Sequence, residues 1–110
     1  MAILSHNPTT EEVVKTFDEL SDTELLARIS AADRAFHTWR ETPFTERRRL
    51  MERVSVILKE KKRALAELMT IEMGKPITAA IAEVEKCALT CLYYAEHAER
   101  MLDPEIIKTD

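Results

Sequence analysis

Apolar residues recur at intervals of three and four along most of this chain, the spacing of helices with one buried face. The first such run is Leu25, Ile29, Ala32, Phe36 and Trp39. Ahead of it, Ser21-Asp22-Thr23-Glu24 reads as a capping box: the Ser21 hydroxyl accepts from the third backbone amide while Glu24 reaches back. Thr42-Pro43 closes the run, because a residue preceding proline disfavours the α conformation, and the predicted helix covers 21–41. A second run, Leu50, Val54, Ile57, Leu58, Leu65 and Leu68, predicts a helix over 43–73 with Thr42 as cap and Pro43 at its first position. The charged stretch Lys59-Glu60-Lys61-Lys62-Arg63 in its middle predicts a kink or a short break. Gly74 ends this helix in the position glycine favours, and Pro76 prevents continuation.

The third run is the longest. Ile77, Ile81, Val84, Ala88, Cys91, Ala95, Ala98 and Leu102 form an uninterrupted seam over 77–102. Ala79, Ala82, Leu89, Leu92, Tyr93 and Tyr94 lie outside it, so the apolar arc is wider than one face. A helix of this kind is normally covered on more than one side, which a large sheet would do better than two companion helices. Before these helices, 7–20 reads as extended, with a turn cluster at Asn7-Pro8-Thr9-Thr10-Glu11-Glu12 and a short strand at Val13-Val14-Lys15-Thr16-Phe17. After them, 104–109 reads as the beginning of another strand. The predicted fold is mostly α: an N-terminal hairpin, three helices with the second kinked or broken, and a terminal strand.

Composition narrows the function classes. The chain has 110 residues, one domain's worth at most, and a net charge of -4 that gives no general attraction to nucleic acid. No apolar run is long enough to span a membrane, and residues 1–8 lack the charged and apolar regions of a signal peptide. Those features predict a cytoplasmic setting in which Cys87 and Cys91 remain thiols. Gly74 is the only glycine, so no glycine-rich dinucleotide or phosphate loop can be built from this chain.

The individual motifs favour structural roles. Gly74-Lys75 is followed by Pro76 where a phosphate loop needs Ser or Thr, so helix capping is the better reading. Cys87 and Cys91 lie four apart on one helix, without a histidine at the spacing of a zinc site, and core packing is preferred to metal binding. Arg47-Arg48-Arg49 and the basic residues from Lys59 to Arg63 alternate with Glu46, Glu52 and Glu60, the pattern of a solvated, ion-paired helix face. Glu72, Glu83 and Glu85 are read as surface residues, since no spacing singles out an acid/base pair.

The order of signatures resembles the aldehyde dehydrogenase superfamily across essentially the whole chain. Asn7-Pro8 is similar to the opening of that family's Asn-Pro-x-x-Gly-Glu hairpin. Trp39-Arg40 and Glu46-Arg47 bracket the first helix junction, and Glu72-Met73-Gly74-Lys75-Pro76 is similar to the family's Glu-x-Gly-Lys-Pro turn. Glu83-Val84-Glu85-Lys86 and Tyr93-Tyr94-Ala95-Glu96-His97-Ala98-Glu99 follow at family-like distances. Trp39-Arg40-Glu41-Thr42 and Tyr94-Ala95-Glu96-His97 look most like bacterial succinate-semialdehyde dehydrogenases. One departure is Glu11 where the family hairpin has glycine; either the hairpin is altered or its turn has shifted by a residue.

The resemblance implies an N-terminal segment of an α/β, Rossmann-like cofactor-binding domain. It also implies a reaction in which a cysteine thiolate attacks an aldehyde, hydride passes to NAD or NADP, and the thioester is hydrolysed. The nucleophile, the general-base glutamate and the cofactor glycines of the family match no position here, so no catalytic or cofactor-binding residue is expected in this chain alone. The family helix corresponding to 77–102 helps wall a substrate tunnel, which makes Lys86, Cys87, Thr90 and Tyr93 candidate tunnel residues. Ser21, Glu24, Trp39, Gly74 and Pro76 are the candidate structural residues. The expected partner is the remainder of an aldehyde dehydrogenase or another subunit, with self-association as a variant of the same idea. The alternative reading is a small helical binding module that docks through the apolar face of its last helix.

Overall fold

The computed structural model describes residues 3–109. Two antiparallel strands, β1 (Ile3–His6) and β2 (Val13–Phe17), precede four helices: α1 (Asp22–Trp39), α2 (Phe44–Glu60), α3 (Lys62–Met73) and α4 (Ile77–Met101). Strand β1 lies upstream of the segment expected to be extended, and its pairing runs from Ile3 opposite Phe17 to His6 opposite Val13. The register shifts between Ser5 and His6, where β2 carries one extra residue.

The turn between the strands is built from short-range bonds. Asn7 Oδ1 accepts from the Thr9 and Thr10 amides at 2.9 and 3.4 Å, and the Glu11 amide donates to Asn7 O at 2.8 Å. Glu11 itself sits at φ 62, the left-handed conformation that glycine adopts more easily. The turn has therefore not shifted; a glutamate occupies its strained position.

Helix α1 begins as the capping box requires. Glu24 N donates to Ser21 Oγ at 3.3 Å, and Ser21 N donates to Glu24 Oε2 at 2.9 Å. Ser21 Oγ also donates to Glu24 Oε2 at 2.7 Å, and this bond, with the one from the Ser21 amide, lowers the Glu24 carboxyl from its ordinary value, the side-chain bond contributing most. The predicted second helix is two helices. Lys61 leaves helical geometry (φ -96, ψ 7), yet its amide still donates to Ile57 O at 2.9 Å and its carbonyl accepts from Leu65 N at 3.1 Å. The interruption is one residue wide. Pro43 and Pro76 are themselves the N-caps of α2 and α4, one position earlier than the role expected of Pro43. Gly74 closes α3 at φ 69, with its amide donating to Thr70 O at 3.0 Å.

The core is narrow and made of small side chains. Ala66 of α3 and Ala80, Val84, Ala88 and Ala95 of α4 are buried. Ser55 of α2 joins them, its hydroxyl donating to Ala88 O at 2.7 Å, which satisfies the one buried polar side chain among the described residues. Expected core residues Leu50, Val54 and Leu68 are instead 42, 40 and 49 % exposed. Helix axes approach most closely where side chains are small, so Ser55, Ala66 and Ala88 take the contact and the larger residues splay to its open flanks. Leu102, expected at the end of the α4 seam, is exposed for the same lack of a neighbour.

Two parts of the chain lie outside this core. No residue of α1 is buried, and Leu25, Ile29, Phe36 and Trp39 all face solvent. Residues 104–109 form no strand, contrary to expectation: Ile106 and Ile107 have the β-branched pattern but no neighbouring strand to complete a ladder. The radius of gyration is 19.5 Å, against roughly 13 Å for a compact chain of this length. The accessible surface is 9313 Å², against roughly 6,200 Å² for a compact monomer of this mass.

Candidate functional site

Three local arrangements organise the molecule's candidate sites. The first is the junction of α1 and α2. The Arg47 guanidinium donates to Thr42 O at 2.9 Å through Nε, and to Trp39 O and Arg40 O at 2.9 and 3.0 Å through one terminal nitrogen. It also lies over the Trp39 and Phe44 rings at 5.3 and 5.5 Å. One side chain thus binds three carbonyls at the end of α1, of which Trp39 O also accepts from the Thr42 amide at 2.9 Å, and ties α2 to that end. Sequence reasoning placed Arg47 on a solvated basic face; its spacing from Trp39 and its place one turn after Pro43 were the available signal. Its neighbours behave as expected of that face. Arg48 pairs with Glu52 at 2.8 Å, Arg49 with Glu46 at 3.1 Å, and Arg63 with Glu67 at 2.6 Å.

The second arrangement joins the hairpin to the end of α3. Ser5 Oγ donates to Glu72 Oε1 at 2.8 Å, and a Cβ added to Gly74 would stand 3.2 Å from Pro8 Cγ. The two signature turns, Asn7-Pro8 and Gly74-Lys75-Pro76, therefore meet in space. The space beside Gly74 is filled by the Pro8 ring, and the Lys75 ammonium is engaged by Glu83 of α4. That environment does not fit a phosphate or a dinucleotide, which needs open backbone amides at a glycine-rich turn.

The third arrangement is the uncovered side of α4. With Ala80, Val84, Ala88 and Ala95 turned toward α2 and α3, the opposite side presents Ala79, Ala82, Leu89, Tyr93 and Tyr94 to solvent. Leu89 is 65 % exposed and Tyr93 46 %. All four candidate tunnel residues lie along this strip: Lys86, Cys87, Thr90 and Tyr93 are exposed and line two adjoining shallow grooves. Tyr93 stacks edge-on against His97 with ring centroids 4.5 Å apart. Thr90 turns its hydroxyl back to donate to Lys86 O at 2.9 Å.

Charge on this strip is uneven. Glu83 is engaged by Lys75, and Glu85 accepts from Lys62 of α3 at 2.6 Å. Both glutamates read as free surface groups thus tie α4 to its neighbours, as Glu72 ties α3 to the hairpin. Lys86 makes no ion pair among the described residues. Cys87 is exposed and Cys91 half-buried, and no cluster of three metal-binding side chains occurs among the described residues. A further cleft of about 210 Å³ lies between the start of α2 and the end of α4, bordered by Phe44, Met51, Tyr94 and Leu102. No helix among the described residues is long and apolar enough to cross a membrane.

Comparison with known proteins points one way. The model of the aldehyde dehydrogenase family matches residues 1–110. The chain is 43 % identical over 110 residues to a probable NADP-dependent succinate-semialdehyde dehydrogenase of Synechocystis, covering all of this chain and 24 % of that protein. It is 43 % identical over 105 residues to an NADP-dependent succinate-semialdehyde dehydrogenase of Mycobacterium bovis, covering 96 % of this chain and 23 % of that protein. Its fold superposes on the crystal structure of succinic semialdehyde dehydrogenase from Streptococcus pyogenes in complex with NADP with a TM-score of 0.89. Identity there is 34 %, over 97 % of this chain and 24 % of that one. The chain therefore spans about a quarter of the length of the relatives it matches.

Proposed function

The chain belongs to the aldehyde dehydrogenase family, and from that premise we propose that it is the helical support of the family's cofactor-binding domain, docked through α4 onto a sheet supplied by the remainder of the enzyme. The observation that carries this reading is the uncovered side of α4. A 25-residue helix with buried alanines on one side and exposed Leu89, Tyr93 and Tyr94 on the other is built for two-sided packing. The roughly 3,000 Å² of surface beyond that of a compact monomer falls within the range of obligate interfaces.

The activity of the assembled enzyme is, on this reading, oxidation of an aldehyde to a carboxylic acid with a nicotinamide cofactor in the cytoplasm. The relatives' names support succinate semialdehyde as substrate and NADP as cofactor. This chain's own part is mechanical. Arg47 ties α2 to the end of α1, and the Ser5–Glu72 and Pro8–Gly74 contacts hold the hairpin against α3. Lys62–Glu85 and Lys75–Glu83 anchor α3 and the following turn to α4. The nucleophile and the donors that stabilise charge in the transition state belong to the rest of the enzyme, so the chain is inactive by itself.

A chimera tests this directly. Residues 1–110 replace the matching quarter of the Synechocystis relative, and NADPH formation from succinate semialdehyde is measured for the chimera and for the isolated chain. The expected result is activity in the chimera and none in the chain. Turnover by the isolated chain would overturn the supporting role. A folded but inactive chimera, together with a stable homodimer of the isolated chain on light scattering, would favour the docking-module reading instead.

A further inference from the structure

We draw no further inference here: the strongest candidate, the exposed apolar stripe of α1 formed by Leu25, Ile29, Phe36 and Trp39, carries none because nothing in the structure shows what covers it.

Discussion

Helix α1 is capped at both ends by side chains and buries nothing, whereas α4 has no side-chain cap and buries Ala80, Val84, Ala88 and Ala95. The two helices are thus held by different physics. In α1, Ser21 and Glu24 satisfy the first amides and Arg47 binds the last carbonyls, so its limits are written in its own neighbourhood. In α4, position comes from contact with α2 and α3, with the Ser55–Ala88 hydrogen bond at the closest approach. Local capping defines where a helix begins and ends without saying what it lies against. Packing does the reverse. The apolar stripe of α1, with Leu25 at 47 % and Phe36 at 56 % exposure, is covered by nothing among the described residues.

Substitutions can break that contrast, and the largest effect is expected in α4. Ala88→Leu would push a branched side chain into the contact with Ser55, at about 3 kcal/mol in the upper part of the overpacking range. Circular dichroism should show the cooperative melt shifted downward or lost. A melt equal to that of the parent would mean that this contact does not hold the bundle. Next comes Arg47→Met, which leaves the carbonyls of Trp39, Arg40 and Thr42 without their charged donor and is expected to cost about 2 kcal/mol. Hydrogen exchange should quicken over 36–42 and remain slow in α4; equal quickening in both helices would erase the distinction between them.

Smaller effects sharpen it. Gly74→Ala places a Cβ at positive φ and 3.2 Å from Pro8, and roughly 1–2 kcal/mol is expected from the left-handed conformation. Its signature is loss of the hairpin's contact with α3, seen as altered amide shifts at residues 5–12 with α4 unmoved. Ser21→Ala removes the cap of α1 at about 1 kcal/mol, fraying its first turn only. The smallest effect follows from pH. Because hydrogen bonds to Ser21 lower the folded-state pKa of Glu24, its contribution is complete above the usual carboxylate range and is lost as pH falls through the lowered value. Acid titration followed by NMR should therefore fray the start of α1, and Ser21→Ala should remove most of that dependence.

Much of this was legible beforehand because it rests on short-range chemistry. The capping box, the left-handed Gly74 and the interruption near Lys61 each depend on a few adjacent residues. So does the resemblance to aldehyde dehydrogenases, carried by turn signatures that the fold needs in order. The resemblance named Lys86, Cys87, Thr90 and Tyr93 as candidate tunnel residues, and all four are exposed along one side of α4. Periodicity was less informative about the core. It marked Leu50, Val54 and Leu68 as apolar, but a wide apolar arc does not say which part of it a neighbour will cover. Strand β1 escaped notice because four residues without a strong alternation are recognisable only through their partner.

By itself, the amino-acid order determined the helices, their caps, the absence of a glycine-rich cofactor loop and the family to which the chain is similar, since each follows from neighbours along the backbone or from composition. Tertiary structure alone decided that Ser55 and four alanines form the contact, that Arg47 locks one helix to the next, that Pro8 seals Gly74, and that Lys62 and Lys75 reach the glutamates of α4. These are distances between residues far apart in the chain, and a pattern read along one dimension does not contain them.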